Sequence, residues 1–169
     1  MSMIGSFLLL SDEHLHQLLA DPEQVHAACE KGYNAGIDVF IGVDKAWHCL
    51  HFLLTGTAFG GDPPLNFVLT GGRAVGEEDV GYGPARAFLS RDVIQIARAL
   101  EPLNRQDLVA RFDAGMMDRL EIYPDVGRWA ELARRPDVSF DYFFGAFDAV
   151  KSLVLRGASS GLGMLVWLS

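Results

Sequence analysis

LGMLVWL, residues 162–168, is apolar at almost every position. Side chains alternate between the two faces of a strand, so Met164 and Val166 would lie on one face and Leu165 and Trp167 on the other. Apolar residues on both faces are typical of a strand that is covered on both sides. We therefore expect this run to form a core strand.

A second apolar run lies near the start of the sequence, over residues 4–10, and ends at Ser11. Its length favours a buried strand, and a serine in this position is suited to cap a following helix. Shorter strands are predicted at 39–41, at 65–70 and at 87–89, the last of them at a sheet edge. The sequence thus places strands near both ends of the chain and in its middle.

Helical patterns cover more of the sequence than strand patterns do. The clearest helices are predicted at 44–54, 90–100 and 139–156. Because helices and strands do not alternate regularly, a doubly wound α/β sheet is disfavoured. The sequence therefore predicts an α+β fold, with a small mixed sheet and several helices packed on it, in a single domain over residues 1–169.

The composition argues against several classes of function. Twenty-two acidic residues outnumber fourteen basic ones, and the resulting charge of −8 opposes nucleic-acid binding. No apolar run approaches the ~20 residues of a membrane span, and Cys29 and Cys49 lack a disulfide-rich or CxxC spacing. We expect a cytoplasmic protein with no nucleic-acid or membrane partner, whose acidic surface suits a basic protein.

One predicted helix, within VDKAWHCLHFLLTG (43–56), gathers the side chains best suited to chemistry. At 100° per residue, Asp44, His48 and His51 lie within about 60° of one another, with Trp47 at the edge of that arc. Either imidazole is a candidate catalytic acid or base, with the carboxylate beside it. In the alternative interpretation, Asp44 caps the helix and the histidines are structural.

A glycine-rich segment, EEDVGYGPAR (77–86), offers candidate binding residues. Arg86 could hold a carboxylate or phosphate, and Tyr82 lies between two permissive glycines. The acidic residues at 77–79 could bind a hard cation, although EF-hand spacing is absent. The alternative is an ordered surface loop with a solvated acidic edge.

Glu121 and Tyr123, in the segment EIYP (121–124), are further candidates for lining a cleft. A helix that ends before Pro124 would explain the same residues without any function. The sequence has no P-loop, dinucleotide, zinc or nucleophile-elbow motif, so no cofactor and no metal are expected.

Two hypotheses about function follow. The first is a non-enzymatic binding or interaction protein, for example an immunity-type protein, with a basic protein or a small anionic ligand as partner. The alternative is a small hydrolase or transferase that uses the Asp44, His48 and His51 face with Tyr82 and Arg86 opposite. In either case we expect the histidine helix and the glycine loop to meet and to frame the main pocket.

With these motifs in view, the sequence resembles the YfbM-like family of small bacterial proteins, a domain of unknown function. The resemblance rests on the N-terminal MSMIGSFLLLS, on VDKAWHCLHFLLTG, on GYGPAR, on EIYP and on the closing LVWLS. It covers nearly the whole chain and implies a single cytoplasmic α+β domain. It implies no catalytic residues.

Overall fold

A five-stranded antiparallel sheet lies at the centre of the computed structural model, which describes residues 2–169. The strands, in chain order, are β1 (Gly5–Leu10), β2 (Phe40–Asp44), β3 (Arg73–Ala74), β4 (Arg86–Phe88) and β5 (Gly163–Leu168). Their order across the sheet is β2-β1-β5-β4-β3, so the last strand of the chain pairs between β1 and β4.

Eight α-helices occur within the described residues. They are α1 (Asp12–Ala20), α2 (Val25–Tyr33), α3 (Trp47–Thr55), α4 (Ser90–Leu100), α5 (Arg105–Arg111), α6 (Ala114–Arg119), α7 (Trp129–Leu132) and α8 (Asp141–Ser159). Short 3₁₀ helices cover Pro22–Gln24 and Leu65–Val68. The α+β class is confirmed. No helix within residues 2–169 combines the length and the apolar character needed to cross a membrane.

The strand β5 is apolar on both sides because helices cover both sides of the sheet. Met164 and Val166 pack with β1 residues into the larger core, which α3, α4 and α8 complete. Leu165 and Trp167 face a smaller core formed with α1 and α2. These four side chains are at most 1% exposed, and burying each contributes about 1.5–3 kcal/mol. The prediction of a covered core strand is confirmed.

The sheet differs from the expected mixed sheet, because every pairing among the described strands is antiparallel. A parallel pair requires a long crossover, whereas β3 and β4 are joined by eleven residues that reverse the chain. The strand β4 was predicted at an edge but lies between β5 and β3.

The strand predicted at 65–70 is wrong. Residues Leu65–Val68 form a 3₁₀ helix, and the Asn66 carbonyl accepts hydrogen bonds from the N–H groups of Leu69 and Thr70. The guanidinium of Arg86 binds the carbonyls of this turn, so a contact distant in sequence overrides the local preference for a strand.

The helix α3 packs directly on the sheet at Gly5. A Cβ atom on Gly5 would lie 2.8 Å from the Cβ atom of Trp47, so a larger residue would push the helix away. Trp47, Leu50 and Leu54 are buried in the larger core. This close approach carries both histidines of α3 into the interior.

Candidate functional site

His48 is 3% exposed and lies between aromatic rings. Its ring stacks on Trp47 with centroids 4.8 Å apart and an interplanar angle of 8°. Trp47 also stacks on Tyr123, at 5.8 Å, and the exposed ring of Phe59 lies 5.2 Å from that of His48, tilted by 41°. The imidazole is therefore one layer in a column of aromatic side chains that reaches the surface at Phe59.

Both ring nitrogens of His48 bond to the backbone. The N–H of Tyr123 donates to Nδ1 at 3.1 Å, so the proton of the neutral ring is on Nε2, which donates to the carbonyl of Ala58 at 2.8 Å. Burial lowers the pKa of His48, and the bond to Ala58 opposes this shift without cancelling it. The side chain thus ties α3 to two loops, and neither nitrogen is left for proton transfer.

His51, one turn further along α3, is completely buried. Neither of its ring nitrogens has a hydrogen-bond partner among residues 2–169. Burial, with smaller contributions from the charge of Arg86 and from the charge that His48 carries when protonated, lowers its pKa to about 4. His51 is therefore neutral at pH 7 and lies near Arg86 without bonding to it.

Asp44 is separated from both histidines. It ends β2 with a positive φ of 45°, and α3 begins three residues later at Trp47, so the helix predicted from 44 starts too early and Asp44 does not cap it. Its carboxylate accepts a hydrogen bond of 2.8 Å from the hydroxyl of Tyr142, which in turn accepts the N–H of Lys45. Burial, together with the hydrogen bond to Asp44, raises the pKa of Tyr142 to about 12.

Arg86 uses its guanidinium to hold the turn after the Leu65–Val68 helix. Its Nη1 donates to the carbonyls of Phe67, Thr70 and Gly71 at 2.9, 2.6 and 3.4 Å, and its Nη2 donates to Val68 at 2.8 Å. The carbonyls at a helix C-terminus carry partial negative charge, which compensates the buried cation. Burial lowers the pKa of Arg86 to about 10, so it remains charged at pH 7.

Tyr82 lies in a loop that the protein orders internally. One carboxylate oxygen of Asp79 accepts the N–H groups of Gly81 and Gly83, at 2.8 and 2.9 Å. The N–H of Tyr82 donates to the carbonyl of Leu168, while its ring stays 42% exposed. Of the acidic residues at 77–79, Asp79 therefore shapes the loop. Across residues 2–169, no group of three or more His, Cys, Asp or Glu side chains is placed to hold a metal ion.

Of the EIYP pair, Tyr123 belongs to the aromatic column and Glu121 does not. The Tyr123 hydroxyl accepts the N–H of Met3 at 3.3 Å, and the indole N–H of Trp47 donates to the carbonyl of Met3 at 3.1 Å. Glu121 is exposed and has a positive φ of 53°. Tyr123 thus helps to hold the N-terminal segment in place, whereas the Glu121 side chain makes no hydrogen bond that would do so among residues 2–169.

The predicted meeting of the histidine helix and the glycine loop is therefore only partial. Arg86 lies close enough to His51 to affect its pKa. Tyr82 and Arg86 line a cleft of about 300 Å³, but its other walls come from Gly71, Gly72, Trp167 and residues near them, not from either histidine. The five predicted groups do not converge on one reacting centre.

Comparison with known proteins places the chain in a family. A family model described as a domain of unknown function (DUF1877) matches residues 1–167. The chain belongs to this family. Protein YfbM of Escherichia coli (strain K12) is 35% identical to this DUF1877 chain over 132 residues, which are 75% of each protein. The resemblance inferred from the sequence motifs is thereby confirmed.

A solved structure supports the fold of this DUF1877 chain. The crystal structure of YfbM from Escherichia coli, described as a protein of unknown function, matches with a TM-score of 0.65 and 24% identity, covering 98% of this chain and 99% of that one. At this identity the likeness concerns the fold alone.

Sequence reasoning on this DUF1877 chain missed the partners that decide what its polar residues do. Ala58 and the backbone of Tyr123 supply the bonds to His48, and carbonyls at 67–71 supply those to Arg86. Backbone acceptors leave no mark in a sequence. The polar cleft beside Gly71–Gly72 was also missed, although this glycine pair was a visible signal of an open turn.

Proposed function

We propose that this protein is a non-enzymatic binding protein whose partner is a basic protein. The observation that carries the proposal is that the side chains best suited to catalysis are engaged within the fold. His48 uses both ring nitrogens on backbone groups, and Arg86 uses its guanidinium on backbone carbonyls. A hydrolase or transferase needs such groups directed together at a substrate.

The charge of the chain supports the choice of partner. A net charge of −8 on 169 residues attracts basic proteins over a distance set by the ionic strength. The exposed carboxylates of Glu77 and Glu78 are available to such a partner, with a single imidazole nearby: Nε2 of His26 lies 3.6 Å from Glu78. The carboxylate of Asp79, in contrast, shapes the loop.

The test is salt-dependent capture followed by a binding measurement on the purified partner. Tagged protein is exposed to lysate at 50 mM salt, and retained proteins are released at 500 mM and identified. We expect a specific partner rich in Lys and Arg that binds one-to-one by calorimetry, with an affinity that falls steeply between the two salt concentrations. A partner of neutral or acidic charge, or an affinity that salt does not change, contradicts the proposal.

A matched pair of variants locates the charge effect. The double substitution of Glu77 and Glu78 by Gln should slow association with the purified partner, because it removes two exposed negative charges. Since both side chains are exposed, the substitution should leave the fold intact. Replacing Glu101 and Glu131 by Gln removes the same number of exposed charges elsewhere. Equal effects of both pairs would support general attraction by the net charge, and no effect of either pair would refute the proposal.

A further inference from the structure

A polar cleft of about 270 Å³ lies between the Gly71–Gly72 turn and the first turns of α4. Its apolar lining consists of the Pro63–Pro64 pair and of the small exposed parts of Phe88 and Ile96, which are 4% and 2% exposed. Ligand pockets in proteins measure about 300–1,000 Å³ and are mostly apolar with a few polar groups. The cleft lies just below this range of volumes, so it suits only a small molecule.

Two arginines from different elements line this cleft, Arg73 from β3 and Arg91 from α4. Both are exposed, and Arg91 has a single, distant carboxylate contact of 3.7 Å, to Asp92. The other carboxylate oxygen of Asp92 accepts the N–H of Leu89 at the start of α4. The cleft thus carries a net positive charge in a chain whose net charge is −8.

The wall formed by the glycine turn is held rigidly. Arg86 bonds the carbonyls of the turn from one side, and the hydroxyl of Thr70 donates to the carbonyl of Gly60 from the other. Gly72 has a φ of 70°, and a Cβ atom there would lie 2.9 Å from the ring of Phe88. Only glycine therefore fits at position 72, where the backbone packs against Phe88. These contacts fix the wall of the cleft before any ligand binds.

We propose that this cleft binds a small organic anion, with a carboxylate or phosphate group held by Arg73 and Arg91. A flat apolar body would lie against the Pro63–Pro64 pair and the exposed edges of Phe88 and Ile96. The guanidinium fork matches the paired oxygens of either group. The volume limits the body to about one ring. This site is separate from the function proposed above, since it uses the local positive charge and not the acidic surface.

The first experiment compares four probes by ¹⁵N–¹H NMR titration: benzoate, phenyl phosphate, benzamide and inorganic phosphate. We expect benzoate or phenyl phosphate to shift the amides of residues 71–73 and 91–96, and the tighter of the two identifies the preferred acidic group. Benzamide lacks the charge and inorganic phosphate lacks the ring, so each should bind at least about tenfold more weakly. Equal binding of benzamide and benzoate, or no shift by any probe at 10 mM, would overturn the proposal.

Variants then test the two arginines. Arg73→Gln and Arg91→Gln should each weaken binding of the better probe by roughly tenfold, because each removes a charged donor. Arg98→Gln is the matched control, since Arg98 is exposed on the same helix and is not among the lining residues. If Arg98→Gln weakens binding as much as Arg91→Gln does, the attraction is general and the assigned cleft is wrong.

Discussion

His48 and His51 lie one turn apart on α3 and both are buried, but they differ in their hydrogen bonding. Two loops approach His48 and bond both of its nitrogens, whereas His51 faces the interior with no protein partner among residues 2–169. The helix explains their burial, and the surrounding segments explain their bonding. Position on a helical face thus indicates where an imidazole lies and says little about what it does.

The largest expected effect is at His48. His48→Ala removes two hydrogen bonds, leaves the N–H of Tyr123 and the carbonyl of Ala58 without their partner, and opens a space beside Trp47. We expect a loss of about 3–4 kcal/mol in the free energy of unfolding, measured in urea. His48→Gln should lose clearly less stability, because the glutamine amide can both donate and accept a hydrogen bond. Equal losses for the two variants would show that packing, and not bonding, is what His48 contributes.

The pH dependence of stability should come next in size. The pKa of His51 falls from 6.5 to about 4 in the folded protein, so the unfolded chain takes up its proton first as the pH is lowered. Stability from this group is complete above pH 6.5 and is lost progressively toward pH 4, at up to about 1.4 kcal/mol per pH unit. The lowered pKa of His48 acts in the same direction. Urea unfolding at several pH values measures the slope.

His51→Leu provides the control for that slope, because leucine cannot be protonated. Between pH 6.5 and 4 the variant should take up about one proton fewer on unfolding, so its free energy of unfolding should fall less steeply as the pH is lowered. A slope identical to that of the parent would show that other groups cause the acid sensitivity.

At pH 8 the same His51→Leu variant should be at least as stable as the parent, with a free energy of unfolding higher by up to about 1 kcal/mol. Leucine has a similar size, and the substitution removes two buried polar atoms that have no partner among residues 2–169. Thermal and urea unfolding check this, with His48→Leu as the contrasting variant, which should be strongly destabilised. A loss above about 2 kcal/mol for His51→Leu would show that His51 makes a stabilising bond after all.

The smallest effect concerns the electrostatic coupling of the two rings. The charge of a protonated His48 is one cause of the lowered pKa of His51, so His48→Gln should raise that pKa toward its ordinary value. The measurement is an NMR titration of the imidazole Hε1 proton of His51. An unchanged pKa would mean that burial and the charge of Arg86 account for the shift without His48.

The parts of the fold that the sequence predicted are those that local signals determine. Ser11 accepts the N–H of His14 and begins α1, and the two terminal apolar runs form β1 and β5. The segment 65–70 was mistaken for a strand because the bonds that shape it come from Arg86, sixteen or more residues away. The apolar character of α3 accounts for the burial of both histidines, but the partners of His48 in other segments could not be inferred from spacing.

The central place of β5 has a consequence during synthesis. Its residues leave the ribosome after every other strand of the sheet, and Leu8 pairs with Leu165 across 157 positions of the chain. At a synthesis rate of ~5–20 residues per second, β5 is made on the order of 10–30 s after β1. During that time Phe7 and Leu9 lack the strand that shares their core, and β4 has no link to β1. Before β5 is made, β2 is the one native neighbour available to β1, so the sheet cannot be completed until residues 163–168 have been synthesised.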